Sequence, residues 1–271
     1  MNKYLIINAD DYGFSEKTNQ GIIEAYTKGV VSDLSIMAVG VAFEDGITRL
    51  KENSITTAGI HVCLTSDDLK PFRMEYFPKN CFHLFRDIVS GKIKKQKIYA
   101  EIKAQVKKAK EQGLSISHMD SHEHVHMFFP ITDIFIKIAE EENIPYIRYP
   151  NEKIRAAFIK EPVNFIRSFI LKTMCLFSKK KIKRRISGEF FGHFHSGRLT
   201  KKDVQRFLKE TEKGASEIGC HPGSEDKDPQ QRDQWRKNGQ NELNIFTDKE
   251  VIEQIKTLHI KTISFKDLGT L

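Results

Sequence analysis

Four histidines and two acids crowd into the ten residues Ser117-His118-Met119-Asp120-Ser121-His122-Glu123-His124-Val125-His126. Imidazole and carboxylate bind borderline divalent metals and move protons near neutral pH, and folding alone does not call for so many together. More residues with this chemistry stand apart at Asp10-Asp11, His61, Arg148 and His221-Pro222-Gly223. Acids, imidazoles and a guanidinium suit a metal-dependent hydrolase, provided that the fold gathers them. If residues 118–126 stayed extended, His118, Asp120, His122, His124 and His126 would share one face. A single ion cannot use them all, so most are expected to orient or enclose a site rather than ligate.

The elements that must position these groups are short apolar runs alternating with helical patterns. Residues 4–9, 33–39, 57–64, 114–118, 146–149, 215–220 and 262–265 read as strands, and 17–28 as a helix with Ile22, Ile23 and Ala25 inward. Strand–helix alternation implies a parallel sheet. With about seven such units, no internal repeat and no linker, the expectation is an α/β fold, a single distorted (β/α) barrel spanning residues 1–271. Barrel active sites sit at the C-terminal ends of the strands, where Asp10-Asp11, His61, the histidine run, Arg148 and His221 all fall. Residues 72–99 and 151–192 read as excursions over the barrel mouth. Within the second, Val163, Ile166, Phe169, Ile170, Met174 and Phe177 follow helical spacing and are expected to pack on the body or on a second subunit, which makes a homodimer an expectation. Arg167 and Lys172 interrupt that segment, which is too short for a membrane span.

With 271 residues, 39% hydrophobic and 30% charged, the chain can bury a full core. Its four cysteines form no C-x-x-C pair, and the apolar run at residues 4–7 is too short for an export signal; both point to reduced thiols and a cytoplasmic home. The net charge of +8 raises the question of nucleic acid. Its densest sources, residues 179–185 and 92–110, lack interleaved aromatics, and the second reads as the solvent side of a helix whose inner face is Ile98, Ile102, Val106 and Ala109. No nucleic-acid partner is expected, although the basic tract suits an anionic surface.

Five ordered blocks carry a family resemblance: Asn8-Ala9-Asp10-Asp11-Tyr12-Gly13, Gly59-Ile60-His61-Val62-Cys63-Leu64-Thr65, the run from His118 through Phe128, Arg148-Tyr149-Pro150-Asn151-Glu152, and Cys220-His221-Pro222-Gly223. Together they resemble the YdjC-like carbohydrate deacetylases, which include the chitooligosaccharide deacetylases. Phe128-Phe129 before Pro130 departs from the family pattern, which has a single Phe there. The resemblance implies a hydrolase that uses one divalent metal ion, magnesium or zinc, to remove acetyl from an N-acetylated sugar or oligosaccharide. It places Asp11, His61 and His122 as metal ligands, Asp10 as general base and His221 as the acid that protonates the departing nitrogen. Asp120 would orient a histidine ligand, His124 and His126 would line the sugar cleft or support the site, and Glu152 joins this supporting or substrate-side group. Arg148 would pair with Asp10 or hold a substrate hydroxyl. Another metal hydrolase, such as a phosphoesterase, and a non-catalytic sugar-binding protein are the competing readings.

Overall fold

A computed structural model describes residues 2–183, 186, 188–224 and 238–270; Arg184 and Arg185 of the basic tract lie outside them. Eight strands form one sheet: β1 Lys3–Tyr12, β2 Asp33–Ile36, β3 Thr57–Val62, β4 Ser115–Ser121, β5 Tyr146–Ile147, β6 Phe190–Phe191, β7 Gly214–Cys220 and β8 Ile260–Thr262. Every strand pair is parallel. The order β5-β4-β3-β2-β1-β7-β6 curls the sheet into a distorted barrel, and β8 pairs with the first residues of β1, below the point where β2 joins it. Among the described residues nine helices lie between the strands: α1 Glu16–Lys28, α2 Phe43–Glu52, α3 Cys81–Val89, α4 Lys95–Glu111, α5 Ile131–Glu141, α6 Pro162–Ser178, α7 Lys201–Glu210, α8 Gly239–Phe246 and α9 Lys249–Thr257. None of them is long and apolar enough to cross a membrane.

The parallel arrangement explains the apolar runs. Strands covered by helices on one side and by the barrel interior on the other are buried on both faces, and the last eight residues of β1 are all buried. Ile98, Ile102, Val106 and Ala109 of α4 are fully buried, as their spacing predicted. Differences lie at the strand ends. β4 runs three residues beyond its expected stop, to Ser121, while β5 keeps only two residues. β6 was not expected at all, because two residues are too short for any periodicity to show.

Among the described residues no backbone ladder joins β5 to β6, so the ring is open there. Side chains close it. Glu152, just after β5, accepts hydrogen bonds from the backbone N–H groups of Gly192 (3.2 Å) and Phe194 (2.8 Å), and Glu189, just before β6, accepts one from Lys153 N–H (2.9 Å). Burial pushes the Glu152 pKa up to about 7, against the lowering effect of those two N–H groups. The unfolded value is near 4.5, so the native state holds the proton more tightly between these limits. This stabilisation is fully present below pH 4.5 and is lost as pH rises towards 7. The Glu152→Gln variant is therefore expected to flatten the loss of stability between pH 5 and pH 8, by on the order of 3 kcal/mol. Urea midpoints of both chains at the two pH values measure this, and an unchanged slope would refute it.

Helix α6 decides between the two expectations for its apolar stripe as far as the body is concerned. Ser168, Leu171, Cys175 and Ser178 face the body, whereas Val163, Ile166, Phe169 and Phe177 are 55–79% exposed and do not pack on it.

Candidate active site

Asp10 and Asp11 close strand β1, where alternation should send adjacent side chains to opposite faces. The strand avoids this: its register with β2 shifts between Ala9 and Tyr12, and Asp11 takes a left-handed φ of 64°. An irregularity of this kind re-aims a side chain at a strand end. Both carboxylates thereby reach one site.

Asp11 Oδ1 lies 3.2 Å from His61 Nε2, at the end of β3, and 3.2 Å from His122 Nδ1, just past β4. One donor atom from each of the three falls within 4.8 Å of the others. Asp11 Oδ2 is buried and has no hydrogen-bond partner. Burial acts to raise the Asp11 pKa, but the ion pairs and hydrogen bonds with His122 and His61 outweigh it and hold the carboxyl well below the usual range. A carboxylate that stays ionised, two imidazole nitrogens and a spare oxygen match the donor chemistry of a catalytic divalent-metal site.

His61 is aimed by its other nitrogen. Nδ1 lies 2.9 Å from Asp120 Oδ1, a contact that holds a proton on Nδ1 and turns Nε2 towards Asp11, the nitrogen that would ligate once a cation displaces its proton. Asp120 accepts from Ser35 Oγ (2.9 Å) and from Arg148 Nη1 (2.6 Å) through its second oxygen.

Arg148 occupies the barrel interior. It grips Asp10 with two bonds of 2.6 and 2.8 Å and donates through Nε to Glu217 of β7 at 2.7 Å. The four strands contributing these groups are not all neighbours in the sheet, so they meet only across the interior. Where barrels of this class are filled mostly by branched aliphatic side chains, this one carries a fully buried ion-pair network. Burial opposes the charge on Arg148, yet Asp10, Asp120 and Glu217 together raise its pKa well above the ordinary arginine value. A second potential ligand group, Asp10, His61 and Asp120, lies equally close. Arg148 already neutralises both of its carboxylates, which leaves Asp11, His61 and His122 as the set open to a cation.

The other expected residues divide. His221, past β7, lines a cleft of about 170 Å³ together with Asp10, His61, His122 and His124. Its backbone N–H donates to Glu242 at 2.6 Å, while Cys220 turns away to Asn8 O. His124 packs edge-on against Phe190, 5.5 Å between centroids. His126 does not line the cleft: fully buried, it bonds Ser121 Oγ (2.7 Å) and Arg148 O (3.0 Å) and so braces the turn. Glu152 stands at the barrel seam. His118 stacks on Phe265 at 3.8 Å, and burial pushes its pKa down to about 3, which makes it a neutral core residue.

The extended geometry considered for residues 118–126 ends at Ser121. His122–Met127 form a 3₁₀ turn in which Glu123 and His124 have φ values of 54° and 52°. Several groups went unread in the sequence. Glu217 carried a signal, a lone acid in the apolar run of β7; Ser35 and Asn8 carried none. Glu123, Arg167, His193 and Ser196 line the cleft from the turn, from α6 and from the loop after β6.

A parallel barrel whose strand ends collect an Asp–His–His set beside an arginine-held aspartate defines the class: an α/β barrel protein with a group of side chains that could hold a metal ion. The chain belongs to the YdjC-like protein family, whose model matches residues 4–257. A carbohydrate deacetylase of Brevibacillus brevis is 30% identical to it over 280 residues, covering 98% of this chain and 99% of that protein. A carbohydrate deacetylase of Thermoanaerobacter pseudethanolicus is 28% identical at the same coverage. A crystal structure of an Enterococcus faecalis protein, assigned to cellobiose-phosphate cleavage, matches with a TM-score of 0.79 at 25% identity and covers 99% of both chains.

Proposed function

We propose that this protein is a divalent-metal-dependent hydrolase that removes the acetyl group from N-acetylated amino sugars or short oligosaccharides of the chitooligosaccharide type. The observation that carries the reading is the buried, unpartnered Asp11 Oδ2 beside the converging nitrogens of His61 and His122. These three residues would hold the ion, magnesium or zinc. When bound, it supplies Lewis-acid polarisation of the acetyl oxygen and a more acidic water.

The chain's own groups then divide the proton work. Asp10 accepts three hydrogen bonds, two from Arg148 and one from Asn8 Nδ2. A carboxylate offers about four acceptor positions, so one remains for the attacking water's proton. Arg148 keeps Asp10 from rotating. His221, past the end of the neighbouring strand β7 and lining the same cleft, would donate the proton to the departing sugar nitrogen. Asp120 holds the His61 tautomer, His126 and Glu152 hold the walls, and His124 faces the sugar.

The names of the two deacetylase relatives support the reaction class. Acetate release from a panel of N-acetylated sugars, with metal stripped and then restored, tests it. Release that is independent of metal, or absent from the whole panel, would overturn it. The four free cysteines support a reducing, cytoplasmic setting.

We also infer that a second copy of the chain covers the outer face of α6. Val163, Ile166, Phe169, Leu176 and Phe177 are each more than half exposed there, and a contiguous apolar face of this kind marks a contact surface. Wild type is expected to sediment as a dimer and the Phe169→Glu/Phe177→Glu variant as a monomer. A monomeric wild type refutes the inference.

A further inference from the structure

Three consecutive side chains, His122, Glu123 and His124, line the same cleft. A strand cannot present successive residues this way; the left-handed backbone at Glu123 and His124 does it. For residues other than glycine that conformation is strained, and such strain persists where the surroundings or a function over-determine it.

Each of the two strained residues also has an unsatisfied polar atom. Glu123 Oε2 and His124 Nδ1 are buried without a hydrogen-bond partner, although the great majority of buried polar side-chain atoms have one. Arg167 lies on the same cleft. His124 and His193 lie on it together, their ring centroids 5.1 Å apart. This wall therefore offers one carboxylate acceptor, one guanidinium donor, two imidazoles and the Ser196 hydroxyl. Such a mixture of donors and acceptors has no excess positive charge and suits an uncharged ring bearing several hydroxyls.

We propose that Glu123 and His124 form the subsite that grips ring hydroxyls of a neutral sugar, and that Glu123 is a specificity-determining residue of this cleft. Glu123 accepts a hydroxyl hydrogen, and His124 Nδ1 completes its bonding with a neighbouring hydroxyl. The subsite lies beside the metal-type set, so the sugar is held while its acetamide reaches Asp10 and His221; in this the proposal rests on the deacetylase reading.

The test uses N,N′-diacetylchitobiose as probe and the near-isosteric Glu123→Gln, with His124→Gln as second variant. Loss of one charge-assisted hydrogen bond is expected to weaken direct sugar binding, and to raise KM, by about tenfold. Metal content per chain stays at the wild-type value. Unchanged or tighter sugar binding by both variants overturns the proposal, as does loss of metal from Glu123→Gln. Failure of the deacetylase reading shows separately: a wild type that binds the sugar and releases no acetate refutes the reaction, while the binding loss in Glu123→Gln still decides the subsite.

Discussion

Asp10→Asn is expected to bind metal as the native chain does and to turn over roughly 10² to 10⁴ times more slowly, the range that a positioned general base contributes. The amide keeps the size of the carboxyl and one acceptor oxygen, so the cleft keeps its shape. It loses the charge that draws a proton from water. Arg148 keeps Asp120 and Glu217 as partners, so the guanidinium is not stranded. Metal content by mass spectrometry and acetate release on the same preparation make the measurement. Full activity would remove Asp10 from its role; loss of metal would move it into the ligand set.

His61→Ala is expected to lose both metal and turnover, with activity down by about 10³ or more, since the several kcal/mol of transition-state stabilisation from a Lewis acid goes with the ion. His61 supplies one of only two nitrogens in the set, and Asp120 fixes its orientation. Removing the ring takes away both the donor and the reason for Asp120 to face the site. The contrast between the two variants separates a ligand from a base. A His61→Ala chain that still holds one ion per molecule would mean that Asp11, His61 and His122 are not the ligands.

The parallel strands were legible in the sequence, because strands buried on both faces read as apolar runs; their order in the sheet was not. So were the strand-end addresses of Asp10, Asp11, His61, His122 and His221, since the barrel places working residues there. The double use of Asp10 and Asp11 was harder to read: it depends on a left-handed residue inside a strand, which no spacing rule supplies. His118 shows the opposite case. It has the same chemistry as its neighbours in the run, yet lies under Phe265, because tertiary packing rather than residue type decides which histidines reach the cleft. The face of α6 stayed open between the body and a second subunit for a related reason. Helical spacing shows that an apolar stripe exists, and nothing in it says whether the stripe meets the body or the outside.

The buried arginine also bears on the order in which the molecule assembles. Its contacts with Asp10 and Glu217 span 138 and 69 positions of chain. A chain emerging from synthesis presents Asp10, Asp11, His61 and His122 long before β7 exists. Until Glu217 arrives, the guanidinium lacks its third carboxylate and the interior cannot complete its charge pairing, and contacts so distant in sequence form late. The catalytic geometry is thus contingent on the last third of the polypeptide, which ties competence to completion: a partly made chain carries the chemical groups without the architecture that makes them work.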